Sequence, residues 1–185
     1  MNIIGHFITI TRHRHMVMRY CFRCGIGWHG LLHDLSKYTP IEFINGAKYF
    51  TGKHSPVREE RIDKGYSEAW MHHKGRNRHH SEYWIDLNLK TGEHEPIEMP
   101  DKYIVEMFCD RLAASKNYNR DNYNRNMPLD YFYRTKDKTP MHKNTQDKLE
   151  NLLKLYAQHG EKKMFKFLKN KLKCKEKIAI NDTLQ

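Results

Sequence analysis

The chain predicts an all-α helical bundle with at most a small β-hairpin, and three observations predict it. Apolar residues recur at three- and four-residue spacing along most of the length, the period of an amphipathic helix. Helix-opening signals stand ahead of such runs. Thr39-Pro40 reads as an N-cap followed by proline at the first helical position, and Pro100 opens a stripe of Ile104, Phe108 and Leu112 at four-residue steps. Only Ile85 to Met99 departs from this, reading as irregular or as a small β-hairpin that turns at Thr91-Gly92.

The first helix is expected from Arg12 to about Cys24, with Val17, Tyr20, Cys21 and Cys24 on one face and Gly25 and Gly27 ending it. A short helix should cover Trp28 to Lys37, and a third should run from Pro40 to about Phe50. Thr51 to Gly65 is polar, carries Gly52, Pro56 and Gly65, and reads as a loop. Ser67 to Lys74 reads as helix, Gly75 to Arg78 as a turn, and His79 to Trp84 as a short helical segment. The helix opened by Pro100 should end near Tyr118, with a loop over Asn119 to Asn126. Asn144 reads as the N-cap of a helix carrying Leu149, Leu152, Leu153 and Tyr156, which His159-Gly160 stops. Met164, Phe165, Leu168 and Leu172 begin the last helix. Residues 1–172 then form one domain of seven or eight helices, and residues 173–185 a flexible tail.

A chain of 185 residues can bury a core without disulfides. Cys21 and Cys24 form one CxxC with no second pair, short of the four ligands of a closed zinc site, so they read as small buried apolar groups. The net charge of +11 attracts anions: nucleotides, nucleic acid, phosphorylated metabolites or acidic membranes. Much of the excess lies between Lys162 and Lys177, where a solvated face is the simpler account. Met1 to Thr11 does not make a signal peptide, and no apolar run approaches a membrane span, so a cytoplasmic location is expected.

Chemistry concentrates in four places. His33-Asp34 follows Leu31-Leu32 on a mostly apolar stretch; a buried carboxylate needs a partner, and imidazole with carboxylate suits Zn, Mn, Fe or Co. Asp110 shares a helical stripe with Tyr103, Met107 and Ala114, where it wants a cation; pairing with Arg111 or a lysine at the surface is the alternative. The pairs His72-His73 and His79-His80 lie seven residues apart, interleaved with Lys74, Arg76 and Arg78, which suit phosphate. An exposed anion-binding loop is the alternative there. His13, with His15 as competitor, is the fourth.

In this order His13, His33-Asp34, the histidine pairs and Asp110 resemble the HD-domain superfamily of metal-dependent phosphohydrolases, helical bundles in which such residues converge on metal. Members with extra histidines commonly hold two metals. His33-Asp34-Leu35-Ser36-Lys37 resembles the His-Asp-x-x-Lys variant carried by cyclic-dinucleotide phosphodiesterases and mixed-valent di-iron oxygenases, which implies that Lys37 meets an anionic substrate group. Over most of residues 10 to 170 the chain is also similar to a microbial and phage domain family of unknown function. That likeness rests on Thr11-Arg12-His13, Gly30 to Phe43, Ala69 to Trp84 and Met99 to Arg111.

The function expected first is a metal-dependent phosphohydrolase, a phosphomonoesterase or phosphodiesterase, acting on a nucleotide-like or other phosphate ester. One or two divalent ions (Mn, Fe, Zn, Co or Ni) would sit on His13, His33, Asp34, Asp110, His73 and His80, with His73 and His80 favoured over His72 and His79. Asp34, Lys37 and Glu42 would serve catalysis, and Lys37, Lys74, Arg76 and Arg78 would steady phosphate. A di-iron oxygenase on the same ligands is the second reading. The third is a non-catalytic anion- or nucleic-acid-binding module, drawing on the interleaved Tyr and Arg from Tyr118 to Arg125.

Overall fold

The computed structural model describes residues 1–184. Among them are eight α-helices and a single two-stranded sheet, an all-α fold with one small hairpin. The helices are α1 (Ile3–Cys24), α2 (Gly27–Leu32), α3 (Pro40–Lys48), α4 (Pro56–Lys64), α5 (Glu68–Lys74), α6 (Asp101–Asn119), α7 (Met127–Thr135) and α8 (Lys143–Lys173). Strands β1 (Ile85–Asn88) and β2 (Glu93–Pro96) pair antiparallel, Ile85 opposite Pro96, and the turn is closed by Gly92 at φ 74°.

The core forms where α1, α6 and α8 meet, around Val17, Cys21, Phe108, Leu112, Leu152 and Leu168. Helix α6 is the axis of the molecule. Its residues from Tyr103 to Cys109 are all buried, as expected of a helix covered on every side. Cys21, Cys24 and Cys109 are free thiols inside this core, with Sγ of Cys24 and Cys109 3.8 Å apart, in keeping with the apolar role read from sequence. No helix among the described residues is long and apolar enough to cross a membrane.

Several elements differ from the expectation. Helix α1 begins at Ile3, where the Asn2 side chain accepts from the Gly5 amide as N-cap. The stretch read as a loop holds α4, which opens on Pro56 at its first turn and ends on Gly65 at φ 81°. Helix α8 is capped by His142, one residue before its first helical position, rather than by Asn144. Gly160, at φ 76° and ψ 178°, kinks α8 where a stop was expected, and the chain continues helical beyond it. The segment after Lys173, expected to fray, folds back. Ile178 is buried in the core, its amide donates to Asp101 Oδ2 at 2.9 Å, and Asn151 donates to the carbonyls of Ala179 and Asp182.

The break that matters most lies between α2 and α3. The expected helix from Trp28 to Lys37 stops at Leu32; His33 is extended and Asp34 is left-handed at φ 54°, after which Leu35 to Tyr38 form a 3-10 turn. A non-glycine residue there costs ~1–2 kcal/mol, though aspartate tolerates it better than most. Arg14 of α1 secures the break by donating to the carbonyls of Leu31 and His33, which the interrupted helix leaves without partners.

Candidate metal centre

The break turns both His33 and Asp34 inward. Asp34 is 1% exposed and sits between two sets of side chains. Its Oδ2 faces His33 Nε2 at 3.4 Å and His13 Nε2 at 4.0 Å; its Oδ1 faces His73 Nε2 at 3.3 Å and His79 Nε2 at 3.5 Å. Asp110, one face of α6, completes the first set, 2.9 Å from His13 Nε2 and 3.7 Å from His33 Nε2. His80 completes the second, its Nε2 2.9 Å from that of His73. Two groups result, His13-His33-Asp34-Asp110 and Asp34-His73-His79-His80, and in each the potential ligand atoms lie within 4.8 Å of one another. These buried groups could hold metal ions, and Asp34 belongs to both.

In His33, His73 and His79 the ring nitrogen that faces inward is left free because a carboxylate holds the other side of the ring. Glu106 of α6 accepts from Nδ1 of His33 at 3.0 Å and of His29 at 2.9 Å, and lies 3.3 Å from Nδ1 of His79. Glu42 of α3 accepts from Nδ1 of His73 at 2.7 Å and of His72 at 2.6 Å. A proton on Nδ1 leaves the Nε2 lone pair of His33, His73 and His79 pointing at Asp34. Lone pair against carboxylate is repulsive unless a cation lies between them. The buried atoms His13 Nε2, His33 Nε2, His79 Nε2 and Asp34 Oδ1 indeed have no well-directed hydrogen bond; His13 Nε2 is at ion-pair distance from Asp110 but poorly aligned. Unsatisfied buried polar atoms of this kind are costly, and four at one place fit a cation site.

The charges say the same. Asp34, Asp110, Glu106 and Glu42 converge here, against the ammonium of Lys37, 2.6 Å from Asp34 Oδ2. Burial would push Asp34 up, but His33, Lys37 and His73 hold it well below the usual carboxylate range. Asp110 is likewise driven up by burial and held low by His13 and His33. Burial lowers His33, yet Asp34, Asp110 and Glu106 outweigh it and raise its imidazole to about 10. The cluster thus draws a proton where it could draw a metal ion.

Of the residues chosen from sequence, His13, His33, Asp34, His73, His80 and Asp110 come together. His79 joins them as well, while His72 turns its Nδ1 to Glu42 outside both groups. Lys37 and Glu42 line the adjoining cavity. Lys74, Arg76 and Arg78 do not: Arg76 donates to the His72 carbonyl and Arg78 to the Tyr103 hydroxyl at 3.2 Å, on the outer side of the loop. The turn over Gly75–Arg78 rotates the basic side chains away as it brings the histidines in. Arg14 and Glu106 were not picked out from sequence. Glu106 stands four residues before Asp110 on the same helix face, a signal that spacing alone could have supplied.

The family model described as "Family of unknown function (DUF5662)" matches residues 2–155. The chain belongs to this family. The matched span holds every residue of both groups, as well as Glu42, Glu106 and Lys37. Neither a curated protein nor a solved structure matches the chain.

Proposed function

We propose that the protein is a metal-dependent phosphohydrolase acting on a phosphate ester. The observation that carries this reading is the Asp34 carboxylate, with one oxygen toward each of two ligand groups and the Lys37 ammonium beside it. The convergence of His13, His33-Asp34 and Asp110 supports the resemblance to the HD-domain superfamily. His13, His33, Asp34 and Asp110 would hold one ion, and Asp34, His73, His79 and His80 a second.

Ions held there would supply Lewis-acid stabilisation of phosphoryl charge and make water a nucleophile near neutral pH. The chain's own residues do the rest. Lys37 stays protonated, raised by Asp34 and Asp110 against its burial, and can turn a proton of its ammonium toward a phosphate oxygen. Glu106 and Glu42 hold the Nδ1 protons of the histidines, so the proton that an ion would displace is the one on Nε2. The cavity wall, which includes Trp70 and Tyr118, shields the reacting end from bulk water.

The test is elemental analysis of untagged protein beside Asp34→Ala, with phosphate release assayed on both. Near-stoichiometric transition metal and phosphatase activity, both lost in the variant, are expected. Full metal occupancy in Asp34→Ala would sink the ligand assignment. Bound iron with an O₂-dependent spectral change and no phosphate release would favour a di-iron oxygenase on the same ligands. Salt-dependent nucleic-acid binding that survives chelation would favour an anion-binding module.

A further inference from the structure

The two ligand groups open on a cavity of about 270 Å³, below the roughly 300–1,000 Å³ of pockets that hold drug-sized ligands. Its wall continues away from the metal groups along two helices. On α1, His6 stands seven residues before His13; on α6, Asn117 stands seven residues after Asp110. At 1.5 Å per residue, each lies about 10 Å along its helix from a proposed ligand. Both line the cavity.

These two side chains are buried, at 5% and 8% exposure, yet neither hydrogen-bonds to any other described residue through its side chain. The polar atoms of both keep access to the cavity rather than being sealed in protein, so each can bond a group that enters. Asn117 offers donors and an acceptor. His6 offers one of each in its neutral form, which burial first and the Lys37 charge second hold by lowering it to about 4.

The charges on the wall set a limit. Among the described residues Lys37 is the one lysine or arginine lining the cavity, and it is at the metal end. The carboxylates Glu42 and Glu60 also line it, bonded to His72 and His73 and to Ser67 and Lys64 respectively. A second phosphate would find no cation there, and the excess positive charge of the chain lies elsewhere on its surface.

We propose that the cavity takes a phosphomonoester whose organic part is compact, uncharged and rich in hydroxyl or amide groups, read by Asn117 and His6, and that it rejects polyphosphates. The identity of the anionic group rests on the phosphohydrolase reading. The atom balance is that of hydrolysis: water oxygen bonds to phosphorus, the ester P–O bond breaks, and the alcohol leaves with a proton.

The test uses the metal-loaded full chain with fructose 6-phosphate, fructose 1,6-bisphosphate and ATP, following both binding by calorimetry and phosphate release. Fructose 6-phosphate should bind and turn over at least tenfold better than the other two. Asn117→Leu and His6→Phe should each weaken its binding about tenfold at unchanged metal content. Asn117→Asp, of equal size, should do the same if the leucine variant fails to fold. Equal or better handling of the bisphosphate or ATP, no binding of fructose 6-phosphate, or indifference to these substitutions overturns the proposal. Selective binding without phosphate release keeps it and overturns the hydrolase reading. Release without selectivity does the reverse.

Discussion

Glu106 shows how much one side chain can organise. A single carboxylate accepts from His29 and His33 and closes on His79, so it sets the direction of two proposed ligands at once. Burial would raise its pKa, but bonds from the three histidines hold it low, so it stays an acceptor. Glu106→Ala should lower metal affinity ~10–100-fold, the usual loss when a ligand's supporting carboxylate is removed. Competitive chelator titration would read it, and Glu106→Gln, which keeps one acceptor oxygen, should lose less. His6 carries a second prediction. Its folded pKa, about 4, lies below the unfolded 6.5, so between those values the unfolded chain binds more protons. Its contribution is complete above pH 6.5 and is lost as pH falls toward 4. Melting temperature should therefore drop less from pH 7 to pH 5 in His6→Phe than in the parent; an equal drop would show that His6 does not titrate with folding.

At the scale of elements, the site depends on the short α2 lying tightly against α1. Gly30 permits this: a Cβ there would come 2.7 Å from Cys21 Cβ and 2.9 Å from the Met18 Cα. Backbone cannot step aside as a flexible side chain can, so Gly30→Ala should cost ~1–3 kcal/mol in chemical denaturation. It should also cost metal, because α2 carries the His33-Asp34 break. Loss of stability with full metal retention would mean that the break is held by Arg14 alone. The element-level misreadings share one origin. Helix α4 is polar over most of its length and buries only Glu60, so no apolar period announced it. The Trp28–Lys37 stretch has helical periodicity, but the break at His33-Asp34 is stabilised by Arg14 and the cluster, nineteen and more residues away in sequence.

Across the whole molecule, the C-terminal segment locks the helix that carries Asp110 and Glu106. Ile178 fills the core beside α6 and α8, and Asp101, at the first position of α6, receives both the Ile178 amide and Lys148. Truncation after Lys173 should therefore lower stability by ~2–5 kcal/mol, the range for removing a large buried aliphatic side chain, with calorimetry as the readout. A melting temperature unchanged by truncation would show that the segment only rests on the surface.

The amino-acid sequence alone was enough for the fold class, the helical faces of α1, α6 and α8, the hairpin at Gly92 and the set of histidines and aspartates from which the centre is built. Those features are local: periodicity, caps, turn residues and chemical type are written within a few residues of one another. Only the tertiary structure decided that His79 joins the centre while His72 does not, that Lys74, Arg76 and Arg78 face away, and that Glu106 and Glu42 orient the rings. It also set His6 and Asn117 across one cavity. Each of these depends on where two distant segments meet in space, and a side chain's direction there is chosen by packing and by buried charge rather than by its neighbours in the chain.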